Sequence, residues 1–148
     1  MFKNIVVGFD GSEMSERALR LACDLAQKYE GDIHLVHTQQ PHTVAFAMGA
    51  VAGYHAVTTM PSPAKVQSAG EKIINVAKSI AGEYGCTLSE THVDVGEPSE
   101  RILACAKDHG ADLIVTGRRG LGAVGSLVQG STTLEVNHHA TCACLSVI

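Results

Sequence analysis

A glycine-rich segment, GRRGLGAVGSLVQGSTT at positions 117–133, contains residue types that hold phosphate groups. Within it, GLGAVG fits the dinucleotide-binding pattern G-x-G-x-x-G, and GSLVQGST fits the spacing of a Walker A loop. Glycines let the backbone approach a ligand closely, and the N–H groups that open a helix bind anions. The segment therefore predicts a nucleotide-binding loop of one kind or another.

Neither of the two patterns fits its surroundings. A dinucleotide fingerprint needs its first glycine in the turn after a strand and an acidic residue about 20 residues further on. Here two arginines precede Gly120, and the last acidic residue, Glu135, comes only ten residues after Gly125. A Walker A loop needs a lysine for the β- and γ-phosphates, and Ser131 stands in its place. NAD binding and P-loop chemistry are both disfavoured.

Without either template, the segment still offers two phosphate-binding parts. Gly117 and Gly120 allow close approach of the backbone, and residues 130–132 (GST) open a helix with free N–H groups and hydroxyl side chains. Arg119 could pair bidentately with a phosphate, or it could be a solvated loop charge together with Arg118. Both interpretations of the arginines stay open at this point.

Other groupings of reactive residues give weaker signals. The set His138, His139, Cys142 and Cys144 could suggest zinc or copper(I), but it lacks a C-x-x-C pair, and we expect no metal site. The other histidines lack ligand spacing; they are His34, His37, His42, His55, His92 and His109. No Ser/His/Asp order or G-x-S-x-G elbow is present, so nucleophilic catalysis has no support and no catalytic residue is assigned.

The segments that must position these residues alternate between strand and helix patterns. Apolar runs predict strands at 3–9, 32–38, 88–95, 111–117 and 142–148, and helical spacing predicts helices at 13–30, 64–84, 98–110 and 131–138. Continuous apolar runs are typical of a parallel sheet covered by helices on both faces. We therefore expect an α/β, doubly wound fold in which Asp10 follows the first strand, as a ligand contact or as a cap of the next helix.

Bulk properties exclude several function classes. The 148 residues suit one domain, and a formal charge of -4 gives no electrostatic footprint for nucleic acid. The N-terminal apolar run is far shorter than the roughly 20 residues of a membrane-spanning helix, so we expect a cytoplasmic protein with no membrane partner. Five scattered cysteines predict reduced thiols. Residues 39–63 are too long for an ordinary β–α loop and could form a lid or a contact surface.

The spacing G-x-x-G, nine residues and then G-S, which runs from Gly117 to Ser131, resembles the nucleotide-binding signature of the universal stress protein family. IVVGFDGSE, GEPSERIL, GADLIVTGRRG and HATCACLSVI also look like that family, so the resemblance covers nearly all of the chain apart from 39–63. It implies one domain over 1–148, of the adenine nucleotide alpha hydrolase-like kind, with strand order 3-2-1-4-5. In such a sheet the ends of strands one and four flank the topological switch point, where ligands bind.

The resemblance also implies a ligand, ATP with or without Mg²⁺, and roles for particular residues. Asp10 would approach the adenine or ribose, and the backbone of Thr38 would hydrogen-bond the adenine. The sugar and phosphates would be lined by Gly117, Arg119 and Gly120, and phosphate oxygens would be bound by Gly130, Ser131 and Thr132. Gly122 and Gly125 would only let the loop turn. The alternative is that the glycine loop has only a structural role and binds no ATP.

Three functions remain open after this comparison. The first is a nucleotide-responsive regulatory module for stress responses, and the second is a slow ATPase that uses Asp10, Arg119 and Mg²⁺. The third is a structural or partner-binding stress protein whose contact surface is 39–63. The resemblance further implies a homodimer through the last strand, 142–148, although Ala143 stands where relatives often have proline.

Overall fold

The computed structural model describes residues 1–39, 62–120 and 130–148, in which strands and helices alternate. The elements in chain order are β1 (Asn4–Gly8), α1 (Glu13–Tyr29), β2 (Asp32–Gln39), α2 (Pro63–Glu83), β3 (Leu88–Val95), α3 (Pro98–Asp108), β4 (Leu113–Gly117), α4 (Ser131–His139) and β5 (Ala143–Val147). Each predicted strand and helix is present with bounds close to those expected. The greater part of the long segment 39–63 lies outside the described residues, as do Gly122 and Gly125.

All strand pairs of the sheet are parallel, and the strand order is β3-β2-β1-β4-β5. The chain runs from β1 through β2 to β3 on one side and then returns to add β4 and β5 on the other. Gly8 at the end of β1 therefore pairs with Val36 of β2 and with Thr116 of β4. The predicted order is confirmed, and the topological switch point lies between the carboxyl ends of β1 and β4.

Side chains of successive strand residues enter two separate cores, one on each face of the sheet. Ile5 and Val7 lie in the core beneath α1 and α2, whereas Val6 lies in the core beneath α3 and α4. All three are fully buried. Because both faces of β1 are covered, apolar residues run continuously along it, as expected in a doubly wound architecture, which the two cores confirm.

The ends of α1 fix the turns on either side of it. The hydroxyl of Ser12 is the N-cap and accepts a hydrogen bond from the Ser15 N–H at 3.3 Å. At the other end Glu30, with φ of 53°, has the left-handed conformation, one residue before the glycine that the sequence indicates as the stop. Gly31 is needed for another reason: a Cβ atom there would lie 3.0 Å from the carbonyl oxygen of Lys3.

The cysteines are all free thiols, as expected from their scattered positions. Burial raises the pKa of Cys23 to about 12 and that of Cys105 to about 11, so both stay protonated at neutral pH. None of the helices within the described residues is both long and apolar enough to cross a membrane.

Candidate functional site

Asp10 lies two residues beyond the end of β1, at the switch point. Its Oδ1 accepts a hydrogen bond from the Ser12 N–H at 2.9 Å, and Ser12 rather than Asp10 caps α1. The other carboxylate oxygen lies against the glycine loop, because a Cβ atom added at Gly120 would overlap Oδ2 of Asp10. Asp10 is thus held between the start of α1 and the residue three positions after β4.

Gly117 ends β4 and packs against the first turn of α1. A Cβ atom there would lie 2.9 Å from the backbone carbon of Met14 and 3.0 Å from the Ser15 nitrogen. Since backbone atoms cannot move aside as a side chain can, only glycine fits at this position without a shift. The contact with Asp10 is therefore made by Gly120, and Gly117 sets how closely β4 approaches α1.

The two parts of the glycine signature, residues 117–120 and residues 130–131, come together at the start of α4. The Gly130 N–H donates to the Arg118 carbonyl at 2.8 Å, and a Cβ atom at Gly130 would lie 3.5 Å from Cα of Arg119 and 3.9 Å from the Gly120 nitrogen. Residues that are 10 to 12 positions apart in sequence thus lie next to one another, and the backbone of 118–120 passes beside the N-terminus of the helix.

The first turn of α4 has the properties of an anion-binding helix end. Gly130 occupies the N-cap position with an extended backbone, and no side chain of the described residues caps the helix. Ser131 is exposed and Thr132 is half-buried. The first N–H groups of a helix have no carbonyl partner within it, and the helix dipole favours negative charge there. The backbone and these two hydroxyls can therefore receive phosphate oxygens.

Thr133, which sequence reasoning did not single out, fixes the direction in which α4 starts. Its buried hydroxyl donates to the Gly117 carbonyl at 2.8 Å and lies 3.4 Å from the hydroxyl of Thr116. These contacts join the first turn of α4 to the last two residues of β4. The sequence does contain a signal for this role, because Thr133 directly follows Ser131 and Thr132 in the first turn of a predicted helix.

The two arginines of the loop are half-buried rather than fully solvated. The Nε atoms of Arg118 and Arg119 are shielded from solvent and have no hydrogen-bond partner among the described residues. A buried donor without an acceptor is costly, and an anion near the helix end would supply one. The two arginines are thus not fully solvated, and phosphate binding by Arg119 stays a prediction.

Thr38 lies in β2 on the far side of β1 from the glycine loop. It comes two residues after Val36, the last β2 residue that pairs with β1, and its side chain is buried. Its partner across the sheet is Asp94 of β3. Thr38 is thus at the carboxyl end of the sheet with Asp10, but no described contact joins it to Gly120 or Gly130.

His37 is a second residue that sequence reasoning passed over. It is fully buried, and its Nδ1 lies 2.9 Å from the carbonyl oxygen of Phe9, the residue before Asp10. Because a carbonyl can only accept, Nδ1 carries the proton. Burial lowers the pKa of His37 below its usual 6.5, against smaller opposing effects of the Phe9 hydrogen bond and the charge of Asp10. A histidine within an apolar strand that ends at the switch point was the available signal.

Together these residues form a crevice with distinct chemical ends. Backbone N–H groups, hydroxyls and an arginine at the α4 end suit an anion, while the Asp10 carboxylate near α1 can accept hydrogen bonds from hydroxyl or amino groups. A Cβ atom at Gly120 would fill the space beside that carboxylate. The arrangement fits a ligand that carries phosphate at one end and a sugar or base at the other.

Comparison with known sequences gives a consistent match over the whole chain. The sequence model described as the universal stress protein family matches residues 1–147. Universal stress protein YxiE of Bacillus subtilis is 33% identical over 99% of both chains. The universal stress protein in the QAH/OAS sulfhydrylase 3' region of Thermus aquaticus is 34% identical, also over 99% of both chains.

Solved structures agree with this match at the level of the fold. A universal stress protein from Archaeoglobus fulgidus superimposes with a TM-score of 0.72 at 25% identity, covering 100% of both chains. A universal stress protein in complex with cAMP gives 0.71 at 22% identity, covering 99% of this chain and 97% of that one. The Archaeoglobus fulgidus protein in complex with dAMP gives 0.68 at 22% identity, covering 100% and 98%.

Proposed function

Because this chain belongs to the universal stress protein family, we propose that it is a cytoplasmic, nucleotide-responsive regulatory module that binds ATP, with or without Mg²⁺. The observation that carries the proposal is the meeting of Asp10, Gly120 and the Gly130–Ser131 helix start at the switch point. Nucleotide binding would act by favouring one conformation or assembly of the protein over another.

In the proposed complex, the phosphates lie at the start of α4. The N–H groups and hydroxyls of Ser131 and Thr132 donate hydrogen bonds to the phosphate oxygens. Gly130 lets the ligand approach the backbone, and the Arg119 guanidinium neutralises negative charge. Gly117 and Gly120 leave room for the sugar along the loop. Any Mg²⁺ would be bound by the phosphate oxygens, since oxygen ligands suit this ion.

The adenosine part of the ligand lies toward β1 and β2. The Asp10 carboxylate accepts hydrogen bonds from the ribose or adenine, and the backbone of Thr38 meets the edge of the base. The structures named as complexes with cAMP and dAMP support an adenine ligand of this general kind, since both ligands contain adenine, a pentose sugar and one phosphate. A triphosphate brings more negative charge, for which Arg119 is the candidate counter-charge.

A titration of the purified protein with ATP, ADP, AMP and GTP tests the proposal. We expect saturable binding of adenine nucleotides and weaker binding of GTP. Ser131→Ala should weaken ATP binding by roughly 2- to 12-fold, because it removes one hydrogen bond worth about 0.5–1.5 kcal/mol. Ser79→Ala, the same change at an exposed position of α2, serves as the matched control and should bind as the wild type does. Absence of ATP binding at millimolar concentration would refute the proposal.

Hydrolysis is the alternative activity of the same crevice. The Asp10 carboxylate beside Gly120 could orient a water molecule, and Arg119 could stabilise charge on the transferred phosphoryl group. ADP release under turnover conditions distinguishes the two cases. Sustained turnover that collapses in Asp10→Ala would make the protein an ATPase, whereas trace release that survives the substitution leaves it a binding module.

We also propose a homodimer through the last strand. β5 is the edge strand of the described sheet, and apolar side chains flank it at Leu134 and Ile148, which are 57% and 61% exposed. The Val147 carbonyl accepts a hydrogen bond from the N–H of Arg118, the residue after β4. Because successive residues of a strand direct their backbone polar groups to opposite sides, the N–H of Ser146 points away from β4, toward a partner strand. Proline is tolerated at such an edge position, so Ser146→Pro should give a folded monomer by light scattering. A wild-type monomer, or a dimeric variant, would contradict the proposal.

A further inference from the structure

Four polar side chains meet on the α3 side of the sheet, at the end opposite the nucleotide crevice. They are His34 of β2, Glu90 and His92 of β3, and His109, the residue that ends α3. One potential ligand atom from each lies within 4.8 Å of the others. The three elements that supply them are far apart in sequence, which is why the spacing of the histidines gave no signal.

An irregularity of the sheet brings the cluster together. The pairing of β2 with β3 shifts between Ile33 and His34, so that Ile33 pairs with Leu88 while His34 pairs with Glu90. Without this shift His34 would pair with Ser89 instead of Glu90. The shift therefore places an imidazole and a carboxylate side by side, with His92 two residues further along the same face.

The distances between the potential ligand atoms are close to those in a tetrahedral metal site. The Glu90 Oε2 atom lies 3.2 Å from Nε2 of His92 and 3.4 Å from Nε2 of His109. Four ligands at the usual 2.0–2.1 Å from Zn²⁺ are about 3.3 Å apart along each edge of the tetrahedron. The His34 and His109 rings are stacked at 4.1 Å, so binding requires a rotation of these rings to converge their nitrogens.

Two further features favour a cation at this point. His34 is only 7% exposed, and its Nδ1 has no hydrogen-bond partner among the described residues, which is costly for a buried polar atom. His109 terminates α3, where the helix dipole favours positive charge.

We propose that His34, Glu90, His92 and His109 form a binding site for a first-row divalent transition metal, with Zn²⁺ as the best-matched ion. Three imidazoles and one carboxylate suit zinc, whereas Mg²⁺ and Ca²⁺ prefer all-oxygen sites. The site is separate from the nucleotide crevice, because His34 and Thr38 are four residues apart on one strand, or about 13 Å. It differs from the expectation, drawn from residue spacing, that the chain has no metal site.

A second group of potential metal ligands, which the sequence analysis disfavoured, lies near the C-terminus. His139 there lies 3.4 Å from Glu135, and the Cys142 and Cys144 side chains pack against the core beneath α3 and α4. Within the described part of the chain, these residues do not converge as the His34 cluster does. They therefore provide a control with the same side-chain chemistry.

Competition of the full-length protein with a chromophoric chelator for Zn²⁺ tests the site, and Co²⁺ absorption reports its geometry. We expect one Zn²⁺ per chain, intense visible Co²⁺ bands typical of four ligands, and at least about ten-fold weaker Zn²⁺ binding in Glu90→Gln and in His92→Asn. These two positions are partly exposed, so folding should persist, and circular dichroism checks this. His34, which is buried, is left unchanged.

The control variants decide whether the site is the one proposed. His138→Ala/His139→Ala should bind Zn²⁺ as tightly as the wild type does, and so should Asp10→Ala, which alters only the nucleotide crevice. The proposal is overturned if wild-type protein binds no Zn²⁺ in excess metal, if Glu90→Gln and His92→Asn both retain full affinity, or if the His138 and His139 double variant loses it.

Discussion

The contact between Gly120 and Asp10 makes a quantitative prediction about nucleotide affinity. In Gly120→Ala the new methyl group would occupy the position of Oδ2 of Asp10, so the carboxylate must rotate away. A hydrogen bond to a charged group contributes about 1.5–3 kcal/mol, and its loss corresponds to roughly 10- to 150-fold weaker ATP binding. Asp10→Ala removes the same interaction directly and should give a loss of similar size.

The double variant tests whether the two residues act through one contact. Losses from residues in contact do not add, so Gly120→Ala with Asp10→Ala should bind ATP about as weakly as either single variant does. The assay is isothermal titration with ATP, with urea unfolding to check that each variant stays folded. Gly82→Ala, whose Cβ atom meets nothing within 4 Å, controls for glycine replacement as such. Losses that add in full would refute the proposed role of Gly120.

Three further predictions concern stability. Gly117→Ala should lower the free energy of unfolding by about 1–3 kcal/mol in urea, because its Cβ atom meets the backbone of Met14 at 2.9 Å; unchanged stability would contradict that packing. Gly82→Ala, inside α2 with open space around it, should raise stability by roughly 0.5–1 kcal/mol, and a loss would show a contact not seen in the structure. His37 is buried with its pKa lowered below 6.5, so the unfolded chain binds the proton more tightly; the stability that it contributes is present above pH 6.5 and is lost as the pH falls toward the lowered value. His37→Gln should therefore unfold with a weaker dependence on pH between neutrality and pH 5, and an unchanged dependence would assign the effect to other groups.

Patterns in the sequence predicted the elements well because each depends on nearby residues. Continuous apolar runs marked the strands, and the glycine after a helical stripe marked the helix end to within a residue, with Glu30 rather than Gly31 in the left-handed conformation. The strand order followed only from the resemblance to a known family, since periodicity does not say which strands are neighbours. The meeting of Gly120 with Gly130 likewise followed from a spacing that is typical of that family.

The features that escaped prediction depend on three-dimensional register. That Asp10 meets Gly120 while Gly117 packs on α1 is set by the path of the loop after β4. The hydrogen bond between His37 and Phe9 depends on how β2 is aligned with β1. The histidine cluster requires a shift in the pairing of β2 with β3 at His34, and no local sequence pattern predicts such a shift. In each case the sequence shows the residue, but not the residue that it contacts in the fold.

Titration of ATP into the wild-type protein and Gly120→Ala, side by side, tests the central claim most directly. Saturable binding to the wild type that weakens at least ten-fold in the folded variant is the predicted result. It would place an adenine nucleotide in the crevice between β1, β4 and the start of α4. No binding to the wild type at millimolar ATP, or equal affinity for the two proteins, would contradict the claim.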